Sequence, residues 1–189
     1  FKSFYNSFFS RNKKIKMATS RSGNVIGGGD FKKDRLIPDI VKSIKNNKKI
    51  ILRNPNSIRP WQHVLEPTYG YILIGHYLML NKLNNKISPN WNFGPQRKNC
   101  IKVKDIAAKF LSLWNLRRKK IIILKKKKFK EENILFLNIN KSKKELNWQP
   151  KLGLQESIKI TVDLYKAMLG NKRIEKIVDN QIKNYEFKL

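Results

Sequence analysis

Apolar residues recur three or four positions apart in much of this chain, which is the spacing of one helix face. The pattern predicts a helix over 34–46, where it is carried by Ile37, Ile40, Val41 and Ile44. It also predicts helices over 103–115 and 154–169. Further helices are expected over 141–146 and 172–186, and 3–9 is interpreted as the end of an amphipathic helix. Residues 67–84 are apolar on nearly every face, so we expect a long helix that is buried on most sides.

Short apolar runs between polar or glycine-rich turns predict the strands. The runs fall at 15–22, 49–52, 58–64, 91–95, 121–124 and 135–137. Pro60 supports the extended assignment around it, because a proline keeps the preceding residue out of the helical region. A strand with its crossover helix, followed by shorter strands among longer helices, indicates an α/β chain whose second half is mostly helical.

Three adjacent glycines, Gly27, Gly28 and Gly29, separate the first predicted strand from the helix at 34–46. Glycine suits a place where the backbone turns sharply or approaches a ligand closely. Asp34 is placed to cap the helix, and Pro38 falls in its first turn. We therefore expect the edge of an α/β ligand site here. The helix begins too far from the glycines for a Gly-x-Gly-x-x-Gly motif, so the loop fails as a dinucleotide fingerprint.

The chain is strongly basic, with 42 Lys and Arg against 13 Asp and Glu and a formal net charge of +29. Such a charge is compatible with a polyanionic partner such as nucleic acid. The alternative, which we favour, is lysine enrichment without a function, since 33 of the basic residues are Lys and only 9 are Arg. Bidentate readout of bases uses Arg more than Lys, so we do not expect a nucleic-acid partner.

Other classes of site are disfavoured. No apolar run approaches the length of about 20 residues that spans a bilayer, so we expect neither a membrane partner nor a membrane location. The single Cys100 excludes an internal disulfide and agrees with a reducing, cytoplasmic location. The chain has one Cys and two widely separated His, which predicts no metal site.

Two polar residues flank the glycine loop. Asn24 could donate to and accept from a sugar hydroxyl or a phosphate, or it could form a local Asx turn. Arg35 stands near a helix start, where the helix dipole disfavours a cation, and this placement hints at an anionic partner.

A second polar cluster is formed by Arg59-Pro60-Trp61 and His63. A guanidinium beside a rigid proline and an indole can bind a pyrophosphate and stack near a base. The alternative is a buried tryptophan next to a surface arginine. His63 alone is more often structural than catalytic.

Several segments, in order, carry a family resemblance. Residues 21–30 read Arg-Ser-Gly-Asn-Val-Ile-Gly-Gly-Gly-Asp, 34–39 read Asp-Arg-Leu-Ile-Pro-Asp, and 59–64 read Arg-Pro-Trp-Gln-His-Val. Further blocks match at 6–9, 53–55, 91–95 and 145–150. Together they resemble the C-terminal portion of CDP-glucose 4,6-dehydratases, members of the extended short-chain dehydrogenase/reductase superfamily.

The resemblance implies an α/β fold, namely the C-terminal part of a Rossmann-type NAD(P)-binding domain plus a small, mostly helical substrate-binding domain. It implies NAD as cofactor and a CDP-sugar as substrate. In the implied reaction, NAD oxidises the sugar at C4, water is eliminated across C5 and C6, and the hydride returns to C6. The product is CDP-4-keto-6-deoxyglucose, a precursor of the deoxysugars of surface polysaccharide.

Carried over by position, the resemblance implies roles for individual residues. Asn24 would contact the sugar-nucleotide, Arg35 and Leu36 would lie along the nucleotide, and Arg59 would bind the diphosphate. Trp61, His63 and Asn92 are further substrate-binding candidates. Arg21, Ser22 and Gly23 would lie near the nicotinamide of NAD.

The resemblance also implies what this chain leaves to other polypeptide. The catalytic Tyr-x-x-x-Lys pair and the NAD glycine motif are expected upstream of Phe1, so no catalytic residue is predicted here and the chain alone is expected to be inactive. Residues 1–52 would end the Rossmann-type domain, with the substrate-site loop and crossover helix. Residues 53–189 would mix Rossmann edge elements with the substrate-binding domain. A homodimer is expected for the full-length enzyme.

Two alternatives stay open from the sequence. The first is a basic, polyanion-binding remnant of a dehydratase, which the charge suggests. The second is an epimerase-type relative that acts on another nucleotide sugar on the same scaffold.

Overall fold

The computed structural model describes residues 2–9, 15–80, 89–116, 121–123 and 132–189. Its helices are α1 Lys2–Phe8, α2 Leu36–Lys45, α3 Leu65–Met79, α4 Val103–Leu113, α5 Asn140–Leu146, α6 Leu154–Leu169 and α7 Glu175–Glu186. Its strands are β1 Thr19–Ser22, β2 Asn24–Ile26, β3 Ile50–Leu52, β4 Ile58–His63, β5 Asn90–Phe93, β6 Cys100–Lys102 and β7 Ile121–Ile123. The predicted α/β class is confirmed.

The strands pair mostly in parallel. β1 pairs with β5, β2 with β4 and β3 with β7, all parallel, and β6 adds antiparallel to the start of β4. Parallel neighbours need a long crossover between them, and α2 lies in the crossover from β2 to β4. The sequence analysis predicted one strand over 15–22. It did not predict β2, the short separate strand that directly follows Gly23.

The apolar residues form two buried clusters. The larger one joins β2, β3 and β4 to α2, α4 and α6, and includes Ile40, Phe110 and Tyr165. The smaller one lies between α3, β5 and α5, where Phe93 and Trp148 are fully buried. Helix α2 presents Ile37, Ile40 and Val41 to the larger cluster, as its spacing predicted.

Glu66, in the first turn of α3, is a buried carboxylate with several donors. Its Oε1 accepts the backbone N–H groups of Lys151 at 2.8 Å and Leu152 at 2.6 Å, and the hydroxyl of Tyr185 donates to its Oε2 at 2.9 Å. Burial raises the pKa of Glu66, although these donors oppose the shift. Glu66 thus joins α3 to the segment before α6 and to α7.

The helix predicted over 67–84 differs from expectation in two ways. Its described part runs over Leu65–Met79, and one face of it is exposed, with Ile72 at 64% and Met79 at 80%. The prediction of burial on most sides is therefore wrong for these residues, because apolar periodicity alone cannot show which face has a neighbour. Residues 81–84 lie outside the described part of the chain.

The strand predicted at 135–137 is absent, and that prediction is wrong. Ile134 forms a single parallel bridge to Ile58, and the Leu135 N–H donates to the Ile58 carbonyl oxygen at 3.2 Å. Leu135 and Phe136 are 42% and 41% exposed, so no ladder continues from this bridge. Three apolar residues are too few to distinguish a strand from an extended loop.

Candidate functional site

A cavity of about 550 Å³ opens between β2, the start of α2 and the β3–β4 connection. Its walls come from residues 23–26, 34–39 and 51–54, together with Asp30, Arg59, Trp61 and Val103. Six of the predicted site residues line it: Gly23, Asn24, Arg35, Leu36, Arg59 and Trp61. The structure therefore brings together the glycine-loop cluster and the Arg59 cluster, which are separated in the sequence.

The pairing of β2 with β4 sets the position of Asn24. Its Cα stands opposite that of Trp61 in the parallel register, so Asn24 lies in a strand rather than a turn. Gly23 makes this close approach feasible, because a Cβ there would lie 2.5 Å from the carbonyl oxygen of Pro60. A side chain at position 23 would push β2 away from β4.

Trp61 forms part of both the core and the cavity wall. Its side chain is 5% exposed, belongs to the larger cluster, and donates Nε1–H to the Ile101 carbonyl oxygen at 3.2 Å. The indole N–H is thus used within the protein, and the ring is held in one orientation. What Trp61 can offer a ligand is its ring surface.

Arg59 lies on β4 at the cavity wall. Its Nη1 donates to the carbonyl oxygens of Ile58 at 3.0 Å and Glu132 at 2.9 Å. These bonds fix the plane of the guanidinium, which presents five N–H donors in all. A planar, oriented guanidinium is suited to bidentate contact with phosphate oxygens.

Arg35 takes the N-cap position of α2, where a cation is unfavourable, and the structure shows its partner. Its Nη1 lies 2.9 Å from Oδ2 of Asp30. Partial burial opposes ionisation of Asp30, but the Lys32 N–H and the Arg35 guanidinium outweigh it and lower the pKa of Asp30. The position of Arg35 at a helix start suggested an anionic partner, and in this structure that partner is the carboxylate of Asp30.

Arg53 also lines the cavity, and the residue analysis did not select it. Its Nη1 lies 2.9 Å from Oδ1 of Asp34, and its Nη2 lies 4.0 Å from Oδ2 of Asp39. Burial raises the pKa of Asp39, with Arg53 acting in the opposite direction. The only sequence signal for Arg53 was its place in the matching block 53–55.

Asp34 does not cap α2, and that prediction is wrong. The N-cap is Arg35, no side chain caps the helix, and Asp34 has φ +66°. Aspartate adopts this left-handed conformation more readily than most residues. The turn directs the carboxylate of Asp34 toward Arg53 instead of toward the helix N–H groups.

Among the residues that the structure describes, the charged side chains lining the cavity balance in number. Arg35, Arg53 and Arg59 face Asp30, Asp34 and Asp39. Arginines already paired with carboxylates favour a specific anion over a general attraction for polyanions.

Three predicted residues lie outside the cavity, on the β1–β5 pair. Arg21 stands opposite Asn92 in the register, and Ser22 stands opposite Phe93. The Asn92 side chain donates Nδ2–H to the Asn138 carbonyl oxygen at 3.1 Å. These residues share a strand pair next to Gly23, but none of them lines the cavity that contains Asn24.

His63 is a core residue, with 2% exposure, and it does not line the cavity. Its Nδ1 accepts the Leu65 N–H at 3.4 Å, while its Nε2 is buried with no hydrogen-bond partner among the described residues. Desolvation lowers the pKa of His63 to about 4. Its surroundings fit the structural role that the sequence favoured for a lone histidine.

Two glycines of the triplet, Gly27 and Gly28, lie close to protein side chains. A Cβ on Gly28 would overlap the Leu164 side chain of α6, and a Cβ on Gly27 would lie 2.9 Å from Cγ1 of Val64. Gly29 has φ +84°, which a glycine adopts without strain. The hydroxyl of Tyr165 donates to the Asp30 carbonyl oxygen and fixes the end of the loop on α6.

Metal ligation and membrane crossing are the two further features that the described residues bear on. They contain no group of three or more His, Cys, Asp or Glu side chains that could hold a metal ion. Within the same portion of the chain, no helix is both long and apolar enough to cross a membrane.

Comparison with known sequences gives one clear relative. The chain is 39% identical over 186 residues to a CDP-glucose 4,6-dehydratase of Salmonella typhimurium. The match covers 96% of this chain and 51% of the relative, so the chain spans about half of that protein's length. No family model matches the chain.

Solved structures share the fold. A UDP-glucose 4-epimerase of Thermotoga maritima, solved with UDP-glucose, superposes with a TM-score of 0.71 at 18% identity, covering 88% of this chain and 51% of that one. A dTDP-glucose 4,6-dehydratase of Bacillus anthracis, solved with NAD, gives a TM-score of 0.67 at 19% identity, covering 87% and 47%. The chain has the fold of these epimerase and dehydratase structures, and its sequence resembles the C-terminal portion of a CDP-glucose 4,6-dehydratase.

Proposed function

We propose that this chain is the substrate-binding half of an NAD-dependent CDP-glucose 4,6-dehydratase. The observation that carries the proposal is 39% identity along 96% of the chain to such an enzyme, combined with the cavity on which six predicted residues converge. The reaction would convert CDP-glucose to CDP-4-keto-6-deoxyglucose.

In this proposal each cavity residue has a binding role. The oriented guanidinium of Arg59 holds the diphosphate. The amide of Asn24 contacts the sugar-nucleotide, and Arg35 and Leu36 lie along the nucleotide at the start of α2. Trp61 offers a ring surface in the cavity wall. Because the described arginines and aspartates of the cavity balance in number, only ligands whose phosphates reach the arginines are expected to bind.

NAD, when bound, would supply the oxidation at C4 and the return of the hydride to C6. Gly27 and Gly28 lie close to the side chains of Val64 and Leu164, and the loop lacks the glycine spacing of a dinucleotide motif. The part of this chain in holding NAD would therefore be small, limited to the backbone around Arg21, Ser22 and Gly23. His63 and Asn92, which lie outside the cavity, would act on the substrate site through packing.

No Tyr-x-x-x-Lys occurs within the 189 residues, so we expect this chain to bind ligand without turning it over. Joining it to the N-terminal half of the Salmonella relative should restore a complete site. Formation of a 4-keto sugar from CDP-glucose and NAD by that chimaera would support the proposal. A well-folded chimaera that forms none would refute the dehydratase assignment.

Ligand binding is tested by calorimetric titration of the chain with CDP-glucose, with UDP-glucose for comparison. Arg59→Gln should weaken binding about tenfold or more, because a charge-assisted pair of hydrogen bonds is lost. Arg97→Gln is the matched control, since Arg97 stands over the Phe136 ring, away from the cavity. Equal affinities for the wild type and Arg59→Gln would contradict the proposed role of Arg59.

The epimerase alternative is separated by product analysis of the same chimaera. A dehydratase yields a 4-keto-6-deoxy sugar, whereas an epimerase returns a sugar inverted at C4. Several matching solved structures are epimerases, but at 15–18% identity they show the fold alone. The 39% match to a dehydratase is why we place the dehydratase first.

A further inference from the structure

Arg53 stands at the same cavity as Arg35 and Arg59, at the end of β3, and its role lies outside the assignments above. Its guanidinium bonds to Asp34 at 2.9 Å and approaches Asp39 at 4.0 Å. Both carboxylates belong to the same cavity wall. The arginine is thus oriented along the cavity edge by two residues that are chemical analogues of a phosphate.

The ion pair between Arg53 and Asp34 contributes little to the stability of the fold. The side chain of Arg53 is 55% exposed and that of Asp34 is 79% exposed. Exposed ion pairs contribute little to folding free energy, since solvent screens them and both side chains lose rotamer freedom. A contact of small energetic value between two exposed side chains at a cavity edge calls for another explanation.

We propose that Arg53 is a phosphate-binding residue of this cavity, and that Asp34 and Asp39 occupy its guanidinium until a ligand phosphate displaces them. The inference rests on the proposed function, since the phosphate is that of a nucleoside diphosphate sugar. The fork of the guanidinium binds carboxylate and phosphate oxygens with the same geometry, so one can replace the other without moving the side chain far.

The displacement of the two carboxylates by a ligand phosphate determines which anions bind. A ligand must offer Arg53 more than the carboxylates already do, and a diphosphate with one negative charge on each phosphate does so while a chloride ion does not. The competition lowers the affinity of every anion that binds Arg53, and it lowers it least for diphosphates, which can form a bidentate contact. Arg53 would therefore contribute to selectivity as well as to binding strength.

The proposal makes opposite predictions for the two partners of the ion pair. Arg53→Gln should weaken the binding of CDP and of inorganic pyrophosphate by about fivefold to tenfold. Asp34→Asn should tighten the binding of both by about threefold, because it removes the competitor and because asparagine also tolerates φ +66°. A residue that only supported the fold would not tighten binding when it is removed.

Two controls match these changes in charge elsewhere on the chain. Arg97→Gln removes one positive charge away from the cavity, and Asp163→Asn removes one carboxylate from α6, where it pairs with Lys159 at 2.8 Å. Neither should change affinity by more than about twofold, in keeping with the small energies of exposed charges. In the double variant Arg53→Gln/Asp34→Asn, the gain from Asp34→Asn should vanish, because the two residues act on each other.

Calorimetric titrations of the full 189-residue chain with CDP and with pyrophosphate decide between the outcomes. Binding of CDP that is unaffected by Arg53→Gln, or weakened by Asp34→Asn, would overturn this inference and leave the proposed function standing. Binding of pyrophosphate that depends on Arg53, with CDP bound no more tightly than pyrophosphate, would support the inference and argue against a nucleotide-sugar site. Failure of the wild type to bind either ligand would overturn both.

Discussion

At the scale of single residues, His63 shows most clearly how burial changes chemistry. The imidazole is 2% exposed, and its Nε2 has no hydrogen-bond partner among the described residues. Desolvation lowers its pKa from 6.5 to about 4. The folded protein therefore holds His63 neutral at a pH where the unfolded chain would protonate it.

This difference predicts a pH dependence of stability. Because the folded pKa is the lower one, the contribution of His63 is complete above about pH 6.5 and is lost as the pH falls toward 4. The shift corresponds to about 3 kcal/mol in the free energy of unfolding. Urea unfolding between pH 7 and pH 4.5 should show a steeper loss for the wild type than for His63→Gln.

His76→Gln, on the exposed side of α3, is the control and should follow the wild type. Parallel pH profiles for the wild type and His63→Gln would contradict the argument. If His63→Gln does not fold, titration of the His63 ring by NMR in the wild type gives the same information, and a pKa near 6.5 would count against it.

Individual residues also show what the sequence could and could not predict about the site. Asn24, Arg35 and Arg59 were found from residue chemistry and from matching blocks, and all three line one cavity. Arg53 was missed because its partners, Asp34 and Asp39, lie 14 to 19 positions away and Asp34 was interpreted as a helix cap. Ion pairs between distant segments depend on tertiary contacts that local patterns do not contain.

At the scale of secondary-structure elements, the two glycines of α3 have different environments. A Cβ on Gly70 would overlap the ring of Phe93, which is fully buried in the smaller cluster. Among the described residues, a Cβ on Gly75 would have no neighbour within 4 Å. Close packing therefore requires glycine at position 70 but not at position 75.

We therefore expect opposite effects of the same substitution. Gly70→Ala should lower the free energy of unfolding by about 1–3 kcal/mol, because the added methyl group overpacks the contact with β5. Gly75→Ala should raise it by about 1 kcal/mol, as alanine is the better helix former. Urea unfolding of the two variants measures both changes, and a loss of stability in Gly75→Ala would show that position 75 also needs glycine.

The elements differ in how well the sequence located them. Helices α2, α4, α5 and α6 begin and end within about two residues of the prediction. The apolar faces of α2, α4 and α6 are long enough to define a period. The prediction of a strand at 135–137 was wrong and β2 was missed, because a run of three residues is too short to define a period. The lysine-rich runs at 117–120 and 125–128, which flank β7, lie outside the described residues.

At the scale of the whole molecule, the charge of the chain and the charge of the cavity differ. The chain carries +29, whereas the charged residues that the structure describes at the cavity balance. Positive charge in excess elsewhere makes the folded state repel itself, since folding brings the charges closer together. This repulsion lowers the free energy of unfolding, and dissolved salt weakens the repulsion by screening the charges.

Salt should therefore stabilise the protein. Raising the ionic strength from about 0.01 M to about 0.15 M shortens the screening length from about 30 Å to about 8 Å. The melting temperature should rise by about 2–4 °C for each kcal/mol of repulsion removed. Calorimetric scans over a sodium chloride series measure the change, and a melting temperature that falls with salt would mean that attractive ion pairs outweigh the repulsion.

The hydrogen bond from Tyr185 to Glu66 gives the C-terminus an importance that its polar surface hides. Tyr185 is the fifth residue from the end of the chain, and it is 4% exposed in an otherwise largely exposed α7. Removal of the chain from Tyr185 onward would take away the phenol that covers this buried carboxylate. The tail, although it contributes nothing to the cavity, should not be dispensable.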